Sequence, residues 1–408
     1  MSNLLNRHRP VLVVGAGPIG LTAALALRSF GVPATILEAE LEGRLRPGSR
    51  AIYLHNVTLK HLEDIYSGLG FTLARHGVVW PVKRTLFRGK EVYVKRYPAP
   101  NPNELPPFTS LPQVEAERFL YEACLNAGVE FVWNTTVKDV KVDDNQVTVF
   151  TESGDVWTSN YLIAADGARS TVRQAVGIEM EGPRTKDYFL VVDVKEDEEN
   201  PLPLERVFHY QHPAVDGRNV LYVPFAGGWR IDLQLLDGDD PEEFGGIEGV
   251  KKWLPKVMDA KYAERITWVS TYRFYQVVAK SFTDAHCRVL LAGEAAHLFA
   301  PFGARGMNSG VPDAIVSAKA VHTALQSNDA ETAKQAILAA AEERRIAAQH
   351  NRDSAGIALE HIQGNSPRMN MKREVAASLA SILPQLGKWL DEGPYGPKSG
   401  PPQLSTKY

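Results

Sequence analysis

Three glycine-bearing segments follow apolar runs directly, where a turn can bring backbone N–H groups to a ligand. The first is Gly15-Ala16-Gly17-Pro18-Ile19-Gly20, between an apolar run at 11–14 and an Ala/Leu-rich stretch at 21–30. In this G-x-G-x-x-G spacing Gly15 permits the tight turn, Gly17 lets a pyrophosphate approach the backbone, and Gly20 lets helix and strand pack closely. The helix start presents free N–H groups and a positive dipole end to phosphates. A second apolar run, 34–37, ends at Glu38, whose carboxylate is placed to accept hydrogen bonds from a ribose diol. The second segment, Asp166-Gly167-Ala168-Arg169-Ser170, follows the run 161–165. The third, Gly293-Glu294-Ala295-Ala296-His297, follows 289–292 and continues as Pro301-Phe302-Gly303-Ala304-Arg305-Gly306-Met307-Asn308.

These segments need a strand before them and, for the first and third, a helix after. The pattern over 11–38 reads as strand, turn, helix, strand: one βαβ unit of a buried parallel sheet. Gly31 stands where a helix C-cap glycine belongs. Helical spacing resumes from about Val114 to Ala127, with Gly128 as its stop, and short strands with turn residues follow at 130–133, 137–142 and 147–150. The segments 71–110 and 183–284 have a different texture, rich in Val, Phe, Tyr and Trp. Strands are expected at 78–80 and 91–94 and through most of 183–284. A long helix is expected from about Met307, and alanine-rich helices from about 330 to 390. The fold class expected is α/β, with a dinucleotide-binding domain (1–70, 111–182 and 285–330) interleaved with a mixed-sheet substrate domain (71–110 and 183–284). A helical region at 331–392 and a loose, proline-bearing tail at 393–408 complete it.

Composition narrows the function classes. The chain has 408 residues, 44% hydrophobic and 23% charged, with a net charge of −3, which gives no electrostatic case for nucleic acid or an anionic membrane. No apolar run approaches the ~18 residues of a spanning helix. The start, MSNLLNRHRP, lacks the apolar core of a signal peptide, and Cys124 and Cys287 form no C-x-x-C. A cytoplasmic protein is expected. No metal-spaced cluster is found; His209 and His212 form a lone H-x-x-H in a β-rich region.

The three motifs, in this order, resemble those of the flavoprotein aromatic hydroxylases of the para-hydroxybenzoate hydroxylase and phenol hydroxylase type. The likeness covers roughly residues 10–390, and the Asp-Gly motif is its most telling part. It implies a glutathione-reductase-like FAD-binding domain. It also implies an NADPH- or NADH-dependent monooxygenase that hydroxylates an aromatic ring through a flavin hydroperoxide.

By the same resemblance Gly15, Gly17, Pro18, Ile19 and Gly20 cradle FAD and Glu38 takes the adenosine ribose. Arg46, Ser49 and Arg50 form a flavin- and phosphate-contacting loop, and Gln113 lies near the ribityl chain. Val137 meets the adenine through its backbone. Asp166 serves the pyrophosphate and the nicotinamide cofactor, and Pro301 lies beside the flavin. Gly306, Met307 and Asn308 turn N–H groups toward the flavin carbonyl, where a helix start suits the charge of a reduced ring. Glu294 stands where the family usually has Asp, one methylene shorter.

A phenol must be activated by a base or hydrogen-bond acceptor. His55, Tyr210, His212 and Tyr222 are candidates, though for each an ordinary core or surface placement outweighs a catalytic one. Phe208, Tyr222, Phe225 and Trp229 suit the wall of a pocket for a flat ligand, and Arg230 suits a substrate carboxylate. Arg169, Arg273 and Arg305 are candidate contacts for NAD(P)H, which has no second G-x-G-x-x-G to bind it. The expected partners are a small aromatic substrate and O₂, with the chain a monomer or homodimer. Oxidation, epoxidation or ring cleavage on the same fold, and a relative that binds without turnover, are the alternatives.

Overall fold

The computed structural model describes residues 7–44, 47–364 and 366–397. Strand His8–Val14 runs through the first glycine turn into helix Pro18–Ser29, with Pro18 at the helix start, where its missing N–H costs nothing. Gly31 is left-handed just beyond the helix, and the Val32 N–H closes the end on the Leu27 carbonyl. Strand Thr35–Leu37 pairs parallel to the first strand, Val14 opposite Leu37. Such a sheet is covered on both faces, so its strands are apolar throughout: Val11, Leu12, Val13 and Ile36 are fully buried.

Seven strands make this sheet. Glu130–Val132, Thr35–Leu37, His8–Val14 and Val156–Ala164 lie parallel in that order. Val289–Leu291 joins the later half of Val156–Ala164, also in parallel. The earlier half pairs antiparallel with Val147–Thr151, which pairs with Val137–Val142. The three motifs therefore leave the carboxyl ends of three neighbouring parallel strands, the edge at which open α/β sheets bind ligands.

The second sheet has the order Ile266–Tyr275, Arg184–Lys195, Gly228–Gln234, Arg218–Phe225, Glu205–His212, Val82–Phe87, Lys90–Arg96. Strand alternation gives it two different faces. Leu190, Val192, Trp229, Ile231 and Leu233 pack on one side with Val250, Trp253 and Leu254 of helix Ile247–Val257. Phe189, Val191, Leu221, Val223, Arg230 and Asp232 face the other way, toward the first sheet's motifs.

Local structure departs from expectation in three places. Residues 78–80 are no strand: Val78 makes a single bridge to Ser110, and the strand begins at Val82, after Pro81. The segment 183–284 includes two helices, Pro241–Gly245 and Ile247–Val257; the second buries Val250, Trp253 and Leu254, an i, i+3, i+4 stripe. The tail does not start loose at 393. Gly393–Tyr395 form a 3-10 turn, and Arg305 Nη2 donates to the carbonyls of Tyr395 (2.9 Å) and Pro397 (2.8 Å). Residues 398–408 lie outside the described part.

The C-terminal half ends in helices Arg305–Gln326, Ala330–Gln363, Pro367–Leu379 and Pro384–Glu392. Among the described residues no helix is long and apolar enough to cross a membrane.

Candidate active site

A cavity of about 500 Å³ lies between the motif edge of the first sheet and one face of the second. Gly17, Pro18, Ile19, Arg50, Gln113, Arg273, Glu294, Pro301, Gly306 and Met307 all line it, so the structure brings together ten residues spread from 17 to 307. Gly15, Gly20, Glu38, Ser49, Val137, Asp166, Asn308, His55 and Tyr222 do not line it, and Arg46 lies outside the described residues.

The first glycine turn is built by exclusion. A Cβ on Gly15, whose φ is +101°, would stand 2.5 Å from the Ala165 carbonyl oxygen, and one on Gly20 would stand 1.8 Å from that of Gly15. These two glycines press strand, helix and the Asp166 turn together. A Cβ on Gly17 would meet no protein atom within 4 Å, although Gly17 lines the cavity. Gly17 thus leaves room beside the start of helix Pro18–Ser29 for a group larger than the protein provides. Ile19 fills the gap to the third motif, against Gly293 and Gly310.

Glu38 is buried at the end of its strand. Its Oε2 accepts from the Ala16 N–H (2.5 Å), and Oε1 accepts from the Glu40 N–H (3.0 Å) and Arg44 Nη1 (2.7 Å). An ionised carboxylate has about four acceptor positions, so one remains for a further donor. Val137 opens its strand two residues after Thr135, whose N–H donates to the Glu38 carbonyl.

The Asp166 carboxylate turns onto its own loop, accepting from Ser170 Oγ (2.5 Å) and the Val172 N–H (3.1 Å), and burial raises its proton affinity. It shapes the turn, while its neighbours Ala165 and Gly167 line the cavity and Arg169 is exposed.

The loop at 48–51, hydrogen-bonded to Gln113, is fastened from the opposite sheet. Ser49 donates through N–H (2.6 Å) and Oγ (2.7 Å) to Asp193, a buried carboxylate whose proton affinity rises with burial. Gly48 packs flat on Trp268, and Arg230 Nη1 donates to the Arg50 carbonyl. Arg50 is left-handed, φ +49°, a conformation rare outside glycine, held from both sides by these contacts. Ala304 is the other cavity-lining residue of this kind, φ +54°, as N-cap of helix Arg305–Gln326.

Asn308 is a brace. Its Oδ1 accepts from the His55 N–H (3.0 Å) and Thr58 Oγ1 (2.6 Å), and its Nδ2 donates to the carbonyls of Tyr53 (2.8 Å) and Ala304 (2.6 Å). These bonds fix the helix start, whose first N–H groups have no partner within the helix, beside Gly306 and Met307. His55 serves here through its backbone, its ring edge-on to Tyr53.

Behind the third motif, fully buried Asp313 accepts from the Gly293 N–H (3.2 Å), His297 Nε2 (2.6 Å) and Arg344 Nε (2.8 Å). Burial alone would raise this carboxyl; His297 and Arg344 outweigh burial and hold it below the usual range. Glu294 lies on the exposed side of the same turn, in the cavity wall.

Strand register corrects the expected substrate wall. Phe208 and Arg230 line the cavity; Tyr222, Phe225 and Trp229 do not. Tyr222 lies on the far face, its hydroxyl donating to the Val257 carbonyl (3.0 Å), while its neighbours Leu221 and Val223 face the cavity. Tyr210 is buried against Leu390 and His361, and the His212 ring packs at a tilt against that of His209, both away from the cavity. Sequence reasoning missed Asp193 and Asp313, Arg206 and Asp232 in the wall, and Tyr395, which closes the cavity from the C-terminal turn. Asp313 carried a signal, a lone acid inside an apolar helical run. Tyr395 carried none.

Among the described residues no group of three metal-binding side chains occurs. The FAD binding domain family matches residues 8–354. The chain is 30% identical over 336 residues to para-nitrophenol 4-monooxygenase of a Pseudomonas sp. (strain WBC-3), covering 79% of each. It is 30% identical over 320 residues to 6-methylpretetramide 4-monooxygenase of Streptomyces rimosus, covering 74% of this chain and 54% of that relative, about half its length. The fold matches the crystal structure of p-nitrophenol 4-monooxygenase PnpA from Pseudomonas putida DLL-E4 with a TM-score of 0.76 at 23% identity, covering 96% of this chain and 99% of that one. The chain belongs to the FAD binding domain family, among the FAD-dependent monooxygenases of the aromatic hydroxylase type.

Proposed function

We propose that this chain is a single-component monooxygenase that takes electrons from NADPH or NADH and places one oxygen atom on an aromatic ring. The observation that carries this reading is the cavity itself, walled on one side by the glycine turn and a helix start and on the other by a sheet face of Phe189, Phe208, Tyr272 and Phe274.

The residues present fit FAD. Gly17 and the start of helix Pro18–Ser29 would hold the pyrophosphate, with Gly15 and Gly20 shaping the turn. Glu38 would take the ribose with its remaining acceptor position, beside the Val137 backbone. Arg50 and Gln113 would flank the ribityl chain and flavin, with Ser49 fastening their loop to Asp193, and Glu294 and Pro301 would close the opposite side. When bound, FAD supplies the redox and oxygen chemistry. The N–H groups of Gly306 and Met307 would stabilise negative charge on a reduced ring, and Asn308 keeps them in place. The aromatic and aliphatic wall would orient a flat ring and keep water away. Arg273 and Arg305 support a transient NAD(P)H site at the cavity; Arg305 also holds the C-terminal turn. Two free, buried cysteines suit a reducing cytoplasm. We further propose a monomer or homodimer.

Anaerobic mixing of the FAD-loaded protein with NADPH and with NADH, across phenols and aromatic acids, tests this reading. Bleaching of the flavin, faster with the true substrate, followed by consumption of one O₂ per hydroxylated product, is the expected result. Oxygen returned wholly as peroxide with every compound would reassign the chain to oxidase chemistry.

A further inference from the structure

One wall of the cavity holds a guanidinium whose Nη1 has no hydrogen-bond partner in the protein. Arg206 is 5% exposed, lines the cavity, and makes no hydrogen bond through Nη1. Its guanidinium lies over the rings of Tyr395, at 5.0 Å, and Phe208, at 5.7 Å. The carboxylates around it are already engaged: Asp232 accepts from Arg230 at 2.7 Å, and Asp391 pairs with Lys83 at 2.5 Å. The phenols nearby do not supply a counter-charge, since burial drives Tyr53 and Tyr395 upward and Tyr97 up to about 12. Arginine keeps its proton at any working pH, and a guanidinium in a desolvated aromatic setting favours a planar anionic oxygen group.

We propose that Arg206 receives an anionic oxygen group of the aromatic substrate, with Phe208 and Tyr395 flanking that group, so that the enzyme selects ionised aromatic compounds, carboxylates or phenolates, over neutral ones. This rests on the reading of the cavity as the substrate chamber of a flavin monooxygenase. It assigns the C-terminal turn a part in specificity, because Tyr395 reaches the anion site from a segment outside both sheets. Strand pairing gives Arg206 its place: it lies opposite Lys83 across the parallel pair of Glu205–His212 and Val82–Phe87, two residues before Phe208 on the same face.

The test titrates FAD-loaded protein with two matched pairs at a pH where the acidic members are ionised: 4-hydroxybenzoate against 4-hydroxybenzamide, and 4-nitrophenol against 4-nitroanisole. Calorimetry and flavin difference spectra read the binding. At least one anion should bind about tenfold or more tightly than its neutral partner, as a charge-assisted contact requires. The pair that shows the preference distinguishes carboxylate from phenolate. Arg206→Gln should reduce the preference to about threefold or less, and Arg206→Lys should restore part of it. FAD content should stay unchanged in both variants. Equal affinity within both pairs, binding of none of the four, or a preference that survives in Arg206→Gln overturns the proposal. If Arg206→Gln does not fold, the wild-type preference and its weakening by salt decide alone. FAD content and NAD(P)H oxidation judge the flavoprotein reading separately, so either can fail without the other.

Discussion

The two walls of the cavity are made in different ways. The wall on the first sheet is mainly backbone: glycine turns, helix starts and loops held by Asn308, Asp193 and Asp313. The wall on the second sheet is side chain, presented by whichever face the strand register turns inward. A backbone wall binds what is common to a family, a dinucleotide. A side-chain wall can be exchanged residue by residue without disturbing the sheet, and so carries what is particular to one enzyme.

The largest effect on the backbone wall is expected at Asp313. Asp313→Ala leaves His297 and Arg344 buried without their shared carboxylate, and loss of a buried ion-pair partner costs about 3–5 kcal/mol. Chemical denaturation of the FAD-free protein should show this loss, together with weaker FAD binding, because the Gly293 turn loses its anchor. A variant as stable as wild type would mean that the turn is held by other means.

Acid should act on the other side. His361 is buried between the second sheet and the C-terminal helices, hydrogen-bonded to Tyr210, and burial lowers its pKa to about 4 from an ordinary 6.5. Between these values the unfolded chain binds the proton more readily. Stability should therefore fall as pH drops from about 6.5 toward 4, by a total on the order of 3 kcal/mol from this group. Denaturation midpoints measured across that range should show a shallower slope in His361→Phe. An unchanged slope would assign the acid sensitivity elsewhere.

Tyr222→Phe is the mild test of register. It removes one hydrogen bond on the far face, for about 1 kcal/mol of stability, and should leave turnover and KM unaltered. Truncating Phe208 on the cavity face should instead raise KM. A large loss of turnover in Tyr222→Phe would mean that the far face takes part in the chemistry.

The same contrast sets what the sequence could reveal. Strand-turn-helix spacing and apolar runs made the fold class and the three motifs readable, because glycine positions and strand ends are local properties. The second sheet's inner face was not readable. One step along Arg218–Phe225 separates Leu221 in the cavity from Tyr222 behind it, and register depends on pairings far apart in the chain. Helix Ile247–Val257 was hidden inside a segment rich in β-forming residues, although its i, i+3, i+4 stripe was there to find. Tyr395 enters through chain return from a proline-rich end that read as loose, and no local pattern announces it.

Gly17 leaves open the place proposed for FAD's pyrophosphate beside the helix start. Gly17→Val tests it, because Gly17 has ordinary negative φ and its Cβ would meet no protein atom within 4 Å. FAD titration and FAD-free unfolding of wild type and variant should show one FAD per wild-type chain, unchanged unfolding, and FAD affinity lower by about a hundredfold or more, roughly 2.7 kcal/mol, in the variant. A wild-type protein that takes up no FAD, or a variant that holds it as tightly, would contradict a pyrophosphate site at this turn.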